Sequence, residues 1–586
     1  MATAAEASKQ RRSKRSMNGS NPGPERWEEW TAHLASRQTP LAPAELLPVK
    51  RGAALAWALP DSVKAAGTDE LISRLHNLKP RSRAAANWVT TEVETWIEVL
   101  DTRPADPALA LEAVAWAHAL PVLSQVLPAA PWCQLLEDLG EIASEAAKGD
   151  LSSDPLTHQL LTGELPLTLA YLFPDLANSK ALAAEARQSL SQELLELLDG
   201  QGLSHARRFD LLRSLLACWT RCGYLGKTMR PYCFTSEAKT QYEWLVLQTL
   251  RMSRHDGSQM LSRGAAGEWS PALIEAALTL GGDAEDREIA AAILPDRKSA
   301  AQSNAKLPSP AVHSEWATTA LLRRDWTRSS DQLAVTYSDR QVVIELDTSQ
   351  QTIFSGPCNP EVQFNGKELA VQGDWEEVCW QTDKDLDYLE LETKLGHEFK
   401  VQRQILLARE DRFMFIADAV LGEQSGEIDY RHVLPLCDGV DFRPESEAHE
   451  GMLIGRKRLG AVVPLQLPEW RTEREAGSLS QVDRGLELRQ SFHGQRLLAP
   501  LLIDLDPKRI GKPLTWRRLT VSQKHDAVRA DVAVGYRIEI AKQQWLIYRS
   551  LAPVTNRSLL GQNFVSEFVV ARFTEAGETV DLIEIE

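Results

Sequence analysis

The stretch DRKSAAQSNAKLPSP, residues 296–310, divides the chain into two kinds of pattern. It is polar, has neither helical nor strand periodicity, and ends in Pro308 and Pro310, the composition of a linker. Before it, apolar residues recur at helical spacing. Leu190, Leu194, Leu197 and Leu198 share one face before Asp199-Gly200, and Ser270-Pro271 opens a short apolar helix that Gly281-Gly282 closes. After it the period shortens to two. Leu389, Leu391 and Thr393 alternate with Glu390 and Glu392, and Asn365-Gly366 lies between two short apolar runs as a type I′ hairpin turn would. The runs Trp545–Tyr548 and Phe564–Val570 read as strands buried on both faces.

The expected organisation is therefore a disordered basic tail over 1–24, an all-α array over 25–294, a linker over 295–310 and an antiparallel β-sandwich over 311–586. A length of 586 residues with 43% hydrophobic content suffices for two cores. No fixed repeat period is visible in the helical part.

Composition narrows the function classes. No uninterrupted apolar stretch reaches the roughly 20 residues of a bilayer-spanning helix, and the N-terminal stretch lacks the apolar core of a secretory signal. Cys133, Cys218, Cys222, Cys233, Cys358, Cys379 and Cys437 are odd in number and scattered, which suits a reducing cytoplasm better than a disulfide framework. A net charge of −16 argues against nucleic acid as a partner. The sequence contains no phosphate-cradling loop, dinucleotide fingerprint, nucleophile elbow or HExxH helix. Cys218, Cys222 and Cys233 have spacings that match no zinc knuckle and read as packing thiols. Glu376 and Glu377 point to opposite faces of a strand and read as surface acids.

Three segments carry a resemblance. DPLTHQLLTGELPLTLAYLFPD (154–175) resembles the "Asn-His, Gly-Leu, Phe-Pro-Glu" helix of the heparinase II/III-like polysaccharide lyases. DGQGLSHARRFD (199–210) stands where that family leads into a catalytic tyrosine, and VQRQILLAREDRFMFIADAV (401–420) is similar to an arginine-centred pair of strands in its β domain. The resemblance implies an (α/α) toroid followed by a β-sandwich, acting on or binding an acidic, uronate-containing polysaccharide. Such lyases neutralise the uronate carboxylate with an Asn or His, which makes the neighbouring C–H acidic, and a Tyr or His removes that proton.

Carried over by position, Thr157 stands for the neutralising Asn, His158 keeps the neighbouring His, and Phe209 stands for the tyrosine. Thr157 has no amide and Phe209 no ionisable group. Where the family shows His-Ala-Asp in its β domain this chain reads Tyr337-Ser338-Asp339, which makes Tyr337 a substitute proton-transfer group or an ordinary packing residue. The catalytic candidates are accordingly His158, His205 and Tyr224, and the binding candidates are Arg207 and Arg208 for carboxylate or sulfate and Trp219 and Trp244 for ring stacking. His432, His493 and His525, with Asp418, would resemble the structural zinc site of some relatives if the strands brought them together, although no metal or cofactor is assigned. The competing reading is a non-catalytic descendant of the lyase fold serving as a carbohydrate-binding or protein-interaction module, which Thr157 and Phe209 favour.

Overall fold

The computed structural model describes residues 24–37, 39–47, 52–79, 83–295, 306–471 and 477–586. Two of the expected features, the basic tail and the centre of the linker, lie outside the described residues. The chain divides into two compact units. The first comprises the residues up to Ser204, with Arg208–Gln248 and Ser262–Arg287; the second comprises His205–Arg207, Thr249–Leu261 and Glu288–Glu586.

The first unit is helical. Its interior is built by three segments that are buried nearly all round, helices with almost no solvent face. These are Pro107–Leu123, the run from Pro155 to Leu172, and Phe209–Gly226. Asp106 caps the first by accepting from the Leu109 N–H at 2.8 Å, with Pro107 in the first turn where its missing donor costs nothing. Asp154 caps the second in the same way through the Thr157 N–H at 3.1 Å. Within that run, Gln159–Glu164 is wound as a π-helix, a form that recurs at functional sites.

The helix containing Leu190 and Leu194 spans Ser179–Glu196 and stops one turn short of Asp199. Leu198 instead forms a β-bridge with Ser204, and Gly202 at φ +79° lies against the backbone of Leu245, where a Cβ would stand 2.5 Å away. Ser270 precedes the Pro271–Gly281 helix as expected but makes no side-chain cap.

The second unit is a stack of antiparallel sheets. Two five-stranded sheets, spanning Val312–Pro357 and Leu514–Ile585, a central eleven-stranded sheet and a four-stranded sheet are joined by three apolar clusters. Alternation explains the layering. Along Phe413–Pro435, Met414, Ile416 and Val420 face the cluster shared with the first sheet, whereas Phe413, Phe415, Ala417 and Ala419 face the cluster shared with the Leu514–Ile585 sheet. A strand with both faces covered has no room for an alternating polar face, which is why this run reads as continuously apolar. Asn365 and Gly366 both have positive φ, the type I′ geometry, and join Glu361–Phe364 to Lys367–Glu368. Phe564–Val570 is not one strand: Gln562–Phe564 belongs to the four-stranded sheet and Phe568–Phe573 to its five-stranded neighbour. The break falls at Val565-Ser566, where the Ser566 hydroxyl binds Glu584.

Among the described residues no helix is long and apolar enough to cross a membrane. All seven cysteines are free thiols.

Candidate functional site

In the β unit, the hairpin of Val312–Ser314 and Thr319–Arg323 sets His313 opposite Ala320, and the next strand, Gln332–Thr336, delivers Tyr337 beside it. The His313 Nε2 lies 2.9 Å from the Tyr337 Oη, with the rings stacked at 6.2 Å. Trp380 stacks against His313 at 5.1 Å, and the Glu377 carboxylate is 3.9 Å from the imidazole. Burial pushes His313 down to about 4 and raises the Tyr337 phenol. Glu377 is also raised, by burial and then by the charge of Glu315. At neutral pH the pair is thus a neutral imidazole and a protonated phenol, and burial makes the phenol slower to give its proton and the imidazole slower to take one than either would be in water. Tyr337 was singled out by sequence; His313 was not, because an isolated histidine beside a linker carries no spacing signal.

Next to this pair is an exposed surface. Trp316 is 49% exposed and meets the His205 ring edge-on at 5.8 Å. The His205 Nδ1 accepts the Arg207 N–H at 3.2 Å, and the Ala206 N–H donates to the Ala317 carbonyl at 2.9 Å, which fixes the short segment against the hairpin. Arg207 forks onto Asp339, with N–O distances of 2.9 and 2.5 Å. Its hydrogen bond holds the Asp339 carboxyl below the usual range. Two sequence candidates, His205 and Arg207, are therefore brought together, with Trp316 and Asp339 completing the group.

The remaining candidates belong to the helical unit. His158 is 25% exposed and its Nδ1 lies 2.7 Å from Glu193, on the Ser179–Glu196 helix. It lines a groove of about 340 Å³ with Thr162, Ser189 and Glu185. Thr157 is fully buried and its hydroxyl donates to Asp154 at 2.6 Å, so it serves the helix cap. Phe209 is buried at the head of its helix, and Arg208 is half-buried just before it.

Tyr224 does not share the His158 groove. It is buried, its phenol donates to the Ala276 carbonyl at 3.4 Å, Lys227 lies over its ring, and burial raises its pKa. Trp219 corrects its expected role: it is wholly buried, with Nε1 donating to the Gln159 side chain at 2.7 Å, and offers no ring face to a sugar. Trp244 is 43% exposed and keeps such a face.

The histidine set of the β unit does not assemble. His493 and His525 are exposed, whereas His432 is buried with its Nε2 2.9 Å from the Cys358 carbonyl. What His432 accompanies is a guanidinium. Arg403 donates to both Asp418 oxygens at 2.7 Å and to the Cys358 carbonyl at 2.6 Å, and the Tyr430 hydroxyl donates to Asp418 at 2.6 Å. The one carboxylate in the cluster is thus fully committed to Arg403, and a metal ion does not fit there. Among the described residues the only group with metal-ligand spacing is Glu164, Cys218 and Cys222, and it too is closed by a cation: Arg221 forks onto Glu164 at 2.6 and 2.7 Å. Cys218 and Cys222 are buried packing thiols, with burial raising both.

Burial, reinforced by Arg403, pushes His432 down to about 3 from an ordinary 6.5. Between those values the unfolded chain binds more protons than the folded one, so this contribution is complete above about pH 6.5 and is lost as pH falls toward 3, by up to about 1.4 kcal/mol per pH unit. Replacing His432 by Gln, whose amide still reaches the Cys358 carbonyl, is expected to flatten the pH dependence of urea unfolding between about pH 6.5 and pH 5. Parallel slopes in the two proteins would refute this.

No protein-family profile matches the chain, and no curated protein matches it. Solved structures do. Heparan sulfate lyase HepC of Pedobacter heparinus, in a mutant form, superposes with a TM-score of 0.57 at 11% identity, over 90% of this chain and 94% of that one. A heparinase III superposes with a TM-score of 0.56 at 10% identity, over 79% and 80%. A second, described as a heparinase III gene product with methylated lysines, gives 0.54 at 12% identity over 79% and 75%. The chain has the fold of these lyases, helical first and β-layered second.

Proposed function

We propose that this protein binds an acidic, uronate-containing polysaccharide on the Trp316 surface of its β unit, as a descendant of the lyase fold that does not eliminate through its helical motif positions. The observation that carries the reading is the exposed indole of Trp316 against the His205 ring, with the Arg207–Asp339 fork two residues along the chain from His205. A pyranose ring stacks on the indole, the guanidinium and carboxylate bridge its hydroxyls, and the outer N–H groups of Arg207 meet the uronate. Support for the ligand class comes from the fold neighbours, one of which is a heparan sulfate lyase. Support for binding without elimination comes from Thr157, spent on a cap, and from Phe209, which can neither take nor give a proton.

Asp339, Glu315, Asp374 and Glu377 outnumber the cations of this surface, so stacking and hydrogen bonds carry the affinity in place of a positive field. The expected result is saturable binding of heparan sulfate oligosaccharide by calorimetry, weakened about ten-fold by Trp316→Ala and strengthened by added salt, which screens the surface acids from the polyanion. Unaltered affinity in the Trp316 variant would reject this site.

A second reading, β-elimination, is favoured by the Tyr337–His313 pair alone. Its signature is growing ultraviolet absorbance from unsaturated uronate, abolished by Tyr337→Phe. Binding with no such product decides for the module.

A further inference from the structure

We propose that the groove beside His158 in the helical unit is a separate binding site for a compact, hydroxylated ammonium compound of amino-sugar size. The groove holds about 340 Å³, within the range of small-ligand sites and sufficient for one pyranose ring. Its floor is the π-helix Gln159–Glu164, which presents Thr162, and its wall is the Ser179–Glu196 helix, which presents Glu185, Ser189 and Glu193. The two approach closely because residue 163 is glycine: a Cβ there would stand 2.6 Å from the Leu190 side chain.

The charge of the lining selects the ligand. Glu185 and Glu193 both face the groove, and among the described residues His158 is the only basic side chain lining it. Even a protonated His158, already engaged with Glu193 at 2.7 Å, leaves a net negative charge. A uronate or sulfate would be repelled, whereas an ammonium group would form a charge-assisted bond to Glu185 or to the second oxygen of Glu193. The hydroxyls have partners as well. Thr162 and Ser189 form a 2.6 Å pair that Gln159 also reaches at 3.4 Å, a rigid polar floor whose remaining lone pairs accept from sugar O–H groups. This site is made by the helical unit alone and does not depend on the Trp316 surface.

Titration calorimetry on the full chain with glucosamine, glucose and sodium glucuronate tests this. Saturable glucosamine binding is expected, about ten-fold weaker for glucose and absent for glucuronate, since a hydrogen bond to a charged group is worth about that factor. Glu185→Gln, at an exposed side chain whose replacement leaves packing intact, should weaken glucosamine about ten-fold, while Trp316→Ala leaves it unchanged. No binding of glucosamine, equal binding of glucose, or loss through Trp316→Ala in place of Glu185→Gln would each overturn the proposal.

Discussion

Replacing Arg403 by Ala is expected to destabilise the β unit by about 3–5 kcal/mol, among the largest effects of any single change in the chain. Arg403 is fully buried between the central sheet and the Val312–Pro357 sheet, directly across from Asp418 in the register of Lys400–Ala408 with Phe413–Pro435. Burial alone would raise the Asp418 carboxyl, but the charge and hydrogen bonds of Arg403 overcome it and hold the group below the usual range. Without the guanidinium, Asp418 keeps one neutral donor, Tyr430, and the Cys358 carbonyl loses its charged donor. An ionised carboxylate left there is far more costly than the absence of both partners. Arg403→Met combined with Asp418→Leu should therefore recover much of the loss. Urea unfolding of the single and double variants decides: equal destabilisation in both would mean that Arg403 acts only through packing volume.

Glu164→Ala is expected to damage the helical unit to a similar degree, about 3–5 kcal/mol. Glu164 is completely buried, and Arg221, on the Phe209–Gly226 helix, donates to both its oxygens and at 3.3 Å to the Ala54 carbonyl. Burial lowers the Arg221 pKa, but Glu164 more than reverses this. Removing Glu164 leaves a buried guanidinium beside Cys218 and Cys222 with the Ala54 carbonyl in place of a carboxylate. Because the pair joins the π-helix to a neighbouring core helix, the loss should appear locally before it appears globally. Amide hydrogen exchange over 159–164 and 212–225 should accelerate by at least about ten-fold while that of the β strands is unaltered. Unchanged exchange in the helical segments would show that the pair contributes nothing net to stability.

The two cation–carboxylate clusters are not legible in the sequence. The segment 401–420 resembles an arginine-centred strand pair, and spacing alone leaves open whether His432, His493 and His525 meet near it. Residues on one strand face are two apart, so parity alone places Arg403 and Asp418 on the faces of their strands that meet the first sheet. Parity does not say which strands are neighbours, and His493 and His525 turned outward because their strand and turn leave them on exposed surface. Trp219 departs from its expected role for a related reason. Its helix is buried all round, and an indole on such a helix looks the same in sequence whether it faces a cleft or a core.

The sequence by itself determined the change from helical to strand periodicity, the both-faces-buried character of the central strands, the type I′ turn at Asn365-Gly366, and the absence of an amide at position 157 and of an ionisable group at position 209. These are properties of neighbouring residues, set by local backbone geometry and by the sorting of apolar from polar side chains along one element. Only the tertiary structure decided that His313 meets Tyr337, that Trp316 meets His205 while Arg207 forks onto Asp339, and that guanidinium groups occupy the buried acidic sites. Each of those contacts joins residues on different elements, and its energy depends on distance and on the exclusion of water, neither of which is written in spacing along the chain.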